Sequence, residues 1–136
     1  ASRAHRRPVA MEVLSGRVLI RPTDPARSTA FYRDVLGLAV YREFPGGTVF
    51  FLGGGHLEVS GRADPGPVDE RVRLWVQVRD VAAAHRELVS RGAAVLRGPR
   101  REPWGLEEMW IADPDGIRIA VVEVPPEHPL RRDSRP

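Results

Sequence analysis

Apolar residues recur at every second position in several short runs of the chain, and two intervening stretches change to a helical spacing. The clearest alternation flanks Asp113-Pro114-Asp115-Gly116: Met109 and Ile111 before it, then Ile117, Ile119 and Val121 after it, fall on one face. A period of two predicts paired strands, 106–113 and 117–124, joined by a tight turn. The opposite face carries Glu108, Trp110, Arg118, Ala120 and Val122, a mixture suited to lining a ligand cavity.

The same reading predicts further strands over 16–22, 38–44, 48–52, 56–60, 72–78 and 93–97. Asp24 opens DPARSTAFYRDVLGLAVYR, and Asp80 opens DVAAAHRELVSRGAAVLR 56 residues later. An aspartate there accepts from the free amides of a first helical turn, and Gly37 and Gly92 supply left-handed helix ends. The order strand–helix–three strands thus occurs twice, over 13–60 and 72–124, joined by a turn-rich segment that contains RADPGPVDE. This predicts an α+β fold: two βαβββ units forming a curved mixed sheet, with helices on the convex face and a concave face lining a ligand cavity. Residues 1–12 and 125–136 are expected to be an extended arm and tail.

Alternation then sorts the polar residues. Val18 and Ile20 should pack under the first helix, leaving Arg17, Leu19 and Arg21 concave. Leu57 and Val59 are core, so His56, Glu58 and Ser60 are concave; Leu74, Val76 and Val78 are core, so Arg73, Trp75 and Gln77 are concave. Arg17, Arg73 and Glu58 are therefore expected on one side with Trp75 and Trp110, Glu108 nearby to balance Arg73, and Trp104 in a loop as lid or plug. Two arginines and a carboxylate can neutralise one another, or leave one guanidinium free for an anionic ligand.

Composition narrows the options. A length of 136 residues fits one domain with a real core, and the lack of cysteine excludes disulfide scaffolds and thiol catalysis. No run approaches the ~20 apolar residues that span a bilayer, and no signal-peptide core is visible, so a soluble cytoplasmic protein without membrane contact is expected. All 21 basic residues are arginine, but the excess is terminal, leaving about −1 on residues 11–124. That balance argues against a nucleic-acid-binding face. Among the histidines, His5 and His128 lie in the terminal segments and His85 on a polar helix face, leaving His56, with Glu58, as the acid–base candidates.

Several motifs together resemble the glyoxalase/bleomycin-resistance/extradiol dioxygenase superfamily, also called the vicinal oxygen chelate superfamily. They are Asp24…Arg27-Ser28…Phe31-Tyr32…Leu36-Gly37, the Leu57-Glu58-Val59 strand, Asp80-Val81…Ala84-His85, and PWG…DPDG near the end. The likeness covers residues 13–124. It implies metal ligands in the first, fourth, fifth and eighth strands, commonly His or Gln, Glu, His and Glu. Those positions hold Arg17, Glu58, Arg73 and Ala120 here. Guanidiniums offer no lone pair and repel a divalent ion, so no metal and no other cofactor is expected. The resemblance also implies a homodimer whose clefts a partner completes.

The expected function is binding of an aromatic or anionic small molecule, a metabolite or antibiotic, at Arg17, Arg21, His56, Glu58, Arg73, Trp75, Trp104, Glu108 and Trp110. One alternative is a lyase, isomerase or dioxygenase with an atypical metal site or metal-free acid–base chemistry. Another is a dimeric interaction protein.

Overall fold

The computed structural model describes residues 11–132. Strand β1 (Val18–Ile20) leads into helix α1 (Pro25–Ala30), which continues as a π-helical turn over Phe31–Val35; strands β2 (Val40–Phe44), β3 (Gly47–Leu52) and β4 (Gly55–Ser60) complete the first unit. The second unit comprises β5 (Leu74–Val78), α2 (Val81–Ser90), β6 (Ala94–Arg101), β7 (Glu107–Ala112) and β8 (Arg118–Glu123). The expected duplication of βαβββ is therefore present. Hydrogen bonding divides the strands into two four-stranded mixed sheets, ordered β1-β4-β3-β2 and β5-β8-β7-β6. In each, the first strand pairs parallel to the fourth and the remaining pairs are antiparallel.

Local chemistry explains the helices. Asp24 Oδ1 accepts from the Arg27 amide at 3.2 Å, and Asp80 Oδ1 from the Ala83 amide at 3.0 Å. Both carboxylates occupy the position where free amides need an acceptor. Gly37 at φ 78° and Gly92 at φ 82° end the two segments in the left-handed region. The first helical segment is one residue longer than the second between cap and glycine, and the Leu36 N–H to Phe31 carbonyl bond of 2.9 Å absorbs that residue as a π turn.

One core joins the units. Ile20, Phe50, Leu57 and Val59 of the first sheet, Met109, Ile111, Ile119 and Val121 of the second, and Phe31, Tyr32, Val81 and Leu88 of the helical segments belong to a single buried cluster. Each fully buried side chain of this kind contributes about 1.5–3 kcal/mol. Arg27, Ala30, Phe31 and Val35 border a groove with Ala93, Ala94 and the 112–114 turn of the other unit, so α1 and its π turn run beside that turn. The helix-facing sides of the sheets thus share an interior, and their other sides point outward.

Some boundaries differ from the sequence reading. β1 covers only three residues, and Val18, expected under the helix, is 41% exposed. β6 runs on to Arg101 because its register with β7 resumes beyond an irregularity at Arg97. The tail is not wholly extended: Val124 and Pro125 are buried, and a short turn of helix, α3 (Pro129–Arg132), follows. The arm residues 1–10, including His5, and tail residues 133–136 lie outside the described residues. No helix among the described residues is long and apolar enough to cross a membrane.

Candidate functional site

On the outer face of the first sheet, β4 turns His56, Glu58 and Ser60 away from the core while Leu57 and Val59 are buried. The parallel pairing of Val18 with Leu57 carries the preceding Arg17 alongside. Arg17 Nη1 donates to Glu58 Oε1 at 2.9 Å, and the Ser60 hydroxyl donates to Oε2 at 2.6 Å. The Ser60 bond, then the Arg17 bond, hold the Glu58 carboxyl below the usual carboxylate range. Glu58 is therefore an ionised and already partnered group, ill suited to general-base work.

Beside it lies an aromatic group that alternation alone did not reveal. A bulge between Val40 and Arg42 leaves Tyr41 out of register. Tyr41 stacks on His56 with ring centroids 4.6 Å apart, and Phe51, directly across the ladder from His56, lies 5.5 Å from it. Tyr41 and Phe51 are 50% and 41% exposed, so the three rings form a partly open aromatic surface.

The outer face of the second sheet carries a separate group. Leu106, Ala120, Val122 and Val124 are buried there with Trp110 packed against them. Trp110 faces Ala120 on β8 and Arg97 on β6. The Arg97 guanidinium lies 3.7 Å from the Trp110 ring centroid and that of Arg73 lies 5.2 Å away, both within cation–π range. Arg97 also pairs with the buried Glu102 and donates to the Glu108 carbonyl at 3.0 Å. The buried Glu108 carboxylate accepts the Trp104 indole N–H at 2.7 Å and that of Trp110 at 3.3 Å. His128, from the C-terminal segment, holds the Trp104 loop by donating Nε2–H to the Trp104 carbonyl at 3.1 Å.

This arrangement corrects several expectations. Arg17 and Glu58 do meet, and Arg73, Trp104, Glu108 and Trp110 do assemble, but as two groups on two separate sheets. Among the described residues no hydrogen bond, ion pair or ring contact joins the two groups. Glu108 does not balance Arg73; it serves two indoles. Trp110 is engaged by arginines, which leaves Trp75 and Trp104, 47% and 57% exposed, as the open indoles. Arg21 is exposed and lies along Gly61. His56 is held between rings, with no hydrogen bond to Glu58.

Sequence reasoning missed Arg97, Glu102, Tyr41, Phe51 and His128. Cross-strand pairing signals Arg97 once β6 is known to continue past it, and Phe51 once it is set opposite His56. Nothing local signals His128.

The four positions implied for a metal do not fit one. Arg17 and Arg73 are cations, Ala120 has no donor, and both oxygens of Glu58 already accept hydrogen bonds. Among the described residues no three His, Asp or Glu side chains converge.

Solved structures share this architecture. A protein of unknown function from Agrobacterium tumefaciens is 23% identical with a TM-score of 0.70, over 86% of this chain and 97% of that one. A glyoxalase/bleomycin resistance protein/dioxygenase from Nocardioides is 18% identical with a TM-score of 0.72, over 90% of each chain. TioX from Micromonospora sp. ML1 is 22% identical with a TM-score of 0.65, over 81% and 95%. At these identities the likeness concerns the fold alone. No curated protein matches the chain. The family model of the Glyoxalase/Bleomycin resistance protein/Dioxygenase superfamily matches residues 15–121, nearly the whole of both βαβββ units, and the chain belongs to that superfamily.

Proposed function

We propose that this is a cytoplasmic, metal-free, small-molecule-binding protein that sequesters an aromatic anion, a metabolite or an antibiotic, rather than an enzyme. The observation that carries the reading is Arg73: among the described residues it has no ion-pair partner, and its guanidinium sits 5.2 Å from the centre of the Trp110 ring, near a second indole anchored on Glu108. An unpaired guanidinium beside aromatic carbon selects a carboxylate or phenolate on a flat molecule. Trp104 or Trp75 would cover the ring, since Trp110 is already engaged by Arg97. The state of Glu58 and the enclosure of His56 by Tyr41 and Phe51 weigh against acid–base chemistry by that pair.

The two groups lie on separate sheets within one chain, so we propose that a second copy completes each cleft in a twofold dimer. The first sheet ends at edge strand β1 and the second at edge strand β5, with exposed Val18, Leu19, Val72 and Trp75 on or beside these edges. Unpaired edges flanked by exposed apolar side chains favour pairing with another chain.

The test is a titration of aromatic carboxylates followed by tryptophan fluorescence. Arg73→Gln should weaken a confirmed ligand tenfold to a hundredfold, the effect of losing a charge-assisted hydrogen bond worth about 1.5–3 kcal/mol. Unchanged affinity in both Arg73→Gln and Trp104→Leu would sink the assignment.

A further inference from the structure

The two units are related by register, and the relation exposes an asymmetry in the seam between them. Val18 pairs with Leu57 as Leu74 pairs with Ile119, and Phe50 faces Leu57 as Ile111 faces Ile119. Leu52 thus corresponds to Asp113. Counted from the helix caps, Tyr32 corresponds to Leu88 and Ser28 to Ala84.

On one side of the seam Tyr32 reaches Asp113 with a 2.8 Å hydrogen bond, alongside an open groove of about 520 Å³ whose lining includes the charged Arg27, Asp34 and Asp113. Thr23 adds a second tie, its amide donating to Asp115 Oδ2 at 3.1 Å. On the other side the counterparts are apolar and make no such hydrogen bond: Leu88, Leu52 and Ala84 line a cavity of about 490 Å³. Such a volume is in the range of small-molecule pockets, roughly 300–1,000 Å³. Leu36, Val78 and Val121 continue the apolar wall.

The rim is polar. Trp75, Gln77, Glu87 and Arg91 contribute to the lining and are exposed. Arg91 is only loosely engaged: Nη1 donates to the Val35 carbonyl at 3.3 Å, and Nη2 lies 3.8 Å from Glu87 Oε2. The Glu87 side chain is the more exposed of the two, 68% against 44%. Among the described residues the Gln77 amide makes no hydrogen bond.

We propose that this seam cavity is a second binding site, separate from the outer faces, for a small molecule with an aliphatic body and one carboxylate. The body lies along the apolar wall of Leu36, Leu52, Ala84 and Leu88, and Arg91 with Gln77 receives the carboxylate.

The test uses decanoate, titrated calorimetrically into the full chain. Saturable binding of one molecule per chain is expected. Ala84→Leu and Leu52→Phe, which fill the cavity, should each weaken it at least tenfold, and Arg91→Gln at least threefold. Arg73→Gln and Glu58→Gln, on the outer faces, should leave it unchanged, which separates this site from the one proposed above. A filling variant is read only if its thermal midpoint matches or exceeds that of the wild type. Independently of any variant, a diazirine-bearing decanoate should label Leu52–Gly54 or α2. Absence of saturable binding, retention of binding in a well-folded filled variant, loss in Arg73→Gln, or labelling elsewhere would each overturn the proposal.

Discussion

The Tyr32 hydroxyl donates to Asp113 Oδ2 at 2.8 Å, across 81 residues of sequence, and fastens the first helical segment to the β7–β8 turn of the other unit. Asp113 also accepts from the Asp115 amide at 2.9 Å and the Ile117 amide at 2.8 Å, so one buried carboxylate both shapes the turn and anchors the seam. Tyr32→Phe leaves one oxygen without a donor and should cost about 1–3 kcal/mol in denaturant unfolding. Asp113→Ala removes three bonds and should cost more. A double-mutant cycle between the two positions should show coupling, since each removes the other's partner.

Opposite pH dependences are expected at two carboxylates. Glu58 is held below its ordinary value, so its contribution is full above the unfolded carboxylate value and is lost as pH falls through the folded one. Glu58→Gln should flatten that acid-side loss. Asp113 is pushed up, chiefly by burial, so it favours the folded state most at low pH and loses that contribution as pH rises through its folded value. Asp113→Asn should remove a slope of the opposite sign. Thermal midpoints measured across the acid range check both signs.

Arg97 and Glu102 form a pair whose side chains are 18% and 3% exposed, with Arg100 at 3.6 Å as a lesser partner. Arg97→Ala should destabilise by about 3–5 kcal/mol, because a buried charge loses its main counterion. Adding Glu102→Gln should recover part of that loss. Failure of the second change to help would show that Arg97 acts through its packing on Trp110 instead.

Much of the fold was legible in the sequence for identifiable reasons. Two capping aspartates 56 residues apart and two glycine helix ends gave the repeat, and the alternation around the Asp113–Gly116 turn placed Met109, Ile111, Ile119 and Val121 in the core. The candidate site was legible only strand by strand. Alternation assigns each residue to a face of its own sheet, and Arg17 with Glu58 followed from that. It carries no information on how two sheets are set against each other, which depends on contacts such as Tyr32 with Asp113. Arg17 and Arg73, expected on one side, accordingly belong to two separate groups within the chain. Arg97 was hidden by an irregular register, and Tyr41 by a bulge that breaks the period of two.

The proposed twofold dimer rests on the edge strands β1 and β5 and their exposed apolar side chains. Sedimentation at roughly tens of micromolar should show a dimer. Charged substitutions at Leu19 or Trp75 should shift it toward monomer while leaving the core, and hence the thermal transition of the monomer, intact. A monomeric wild type would leave each outer face open and remove the reason to expect a partner-completed cleft.

The central claim is that these faces bind a small molecule without a metal, and elemental analysis of protein purified without chelator tests it most directly. Substoichiometric zinc, iron, nickel and manganese are expected, in wild type and in Glu58→Ala alike. One equivalent of a divalent metal per chain in the wild type, lost in Glu58→Ala, would contradict the claim and place Glu58 in a catalytic metal centre.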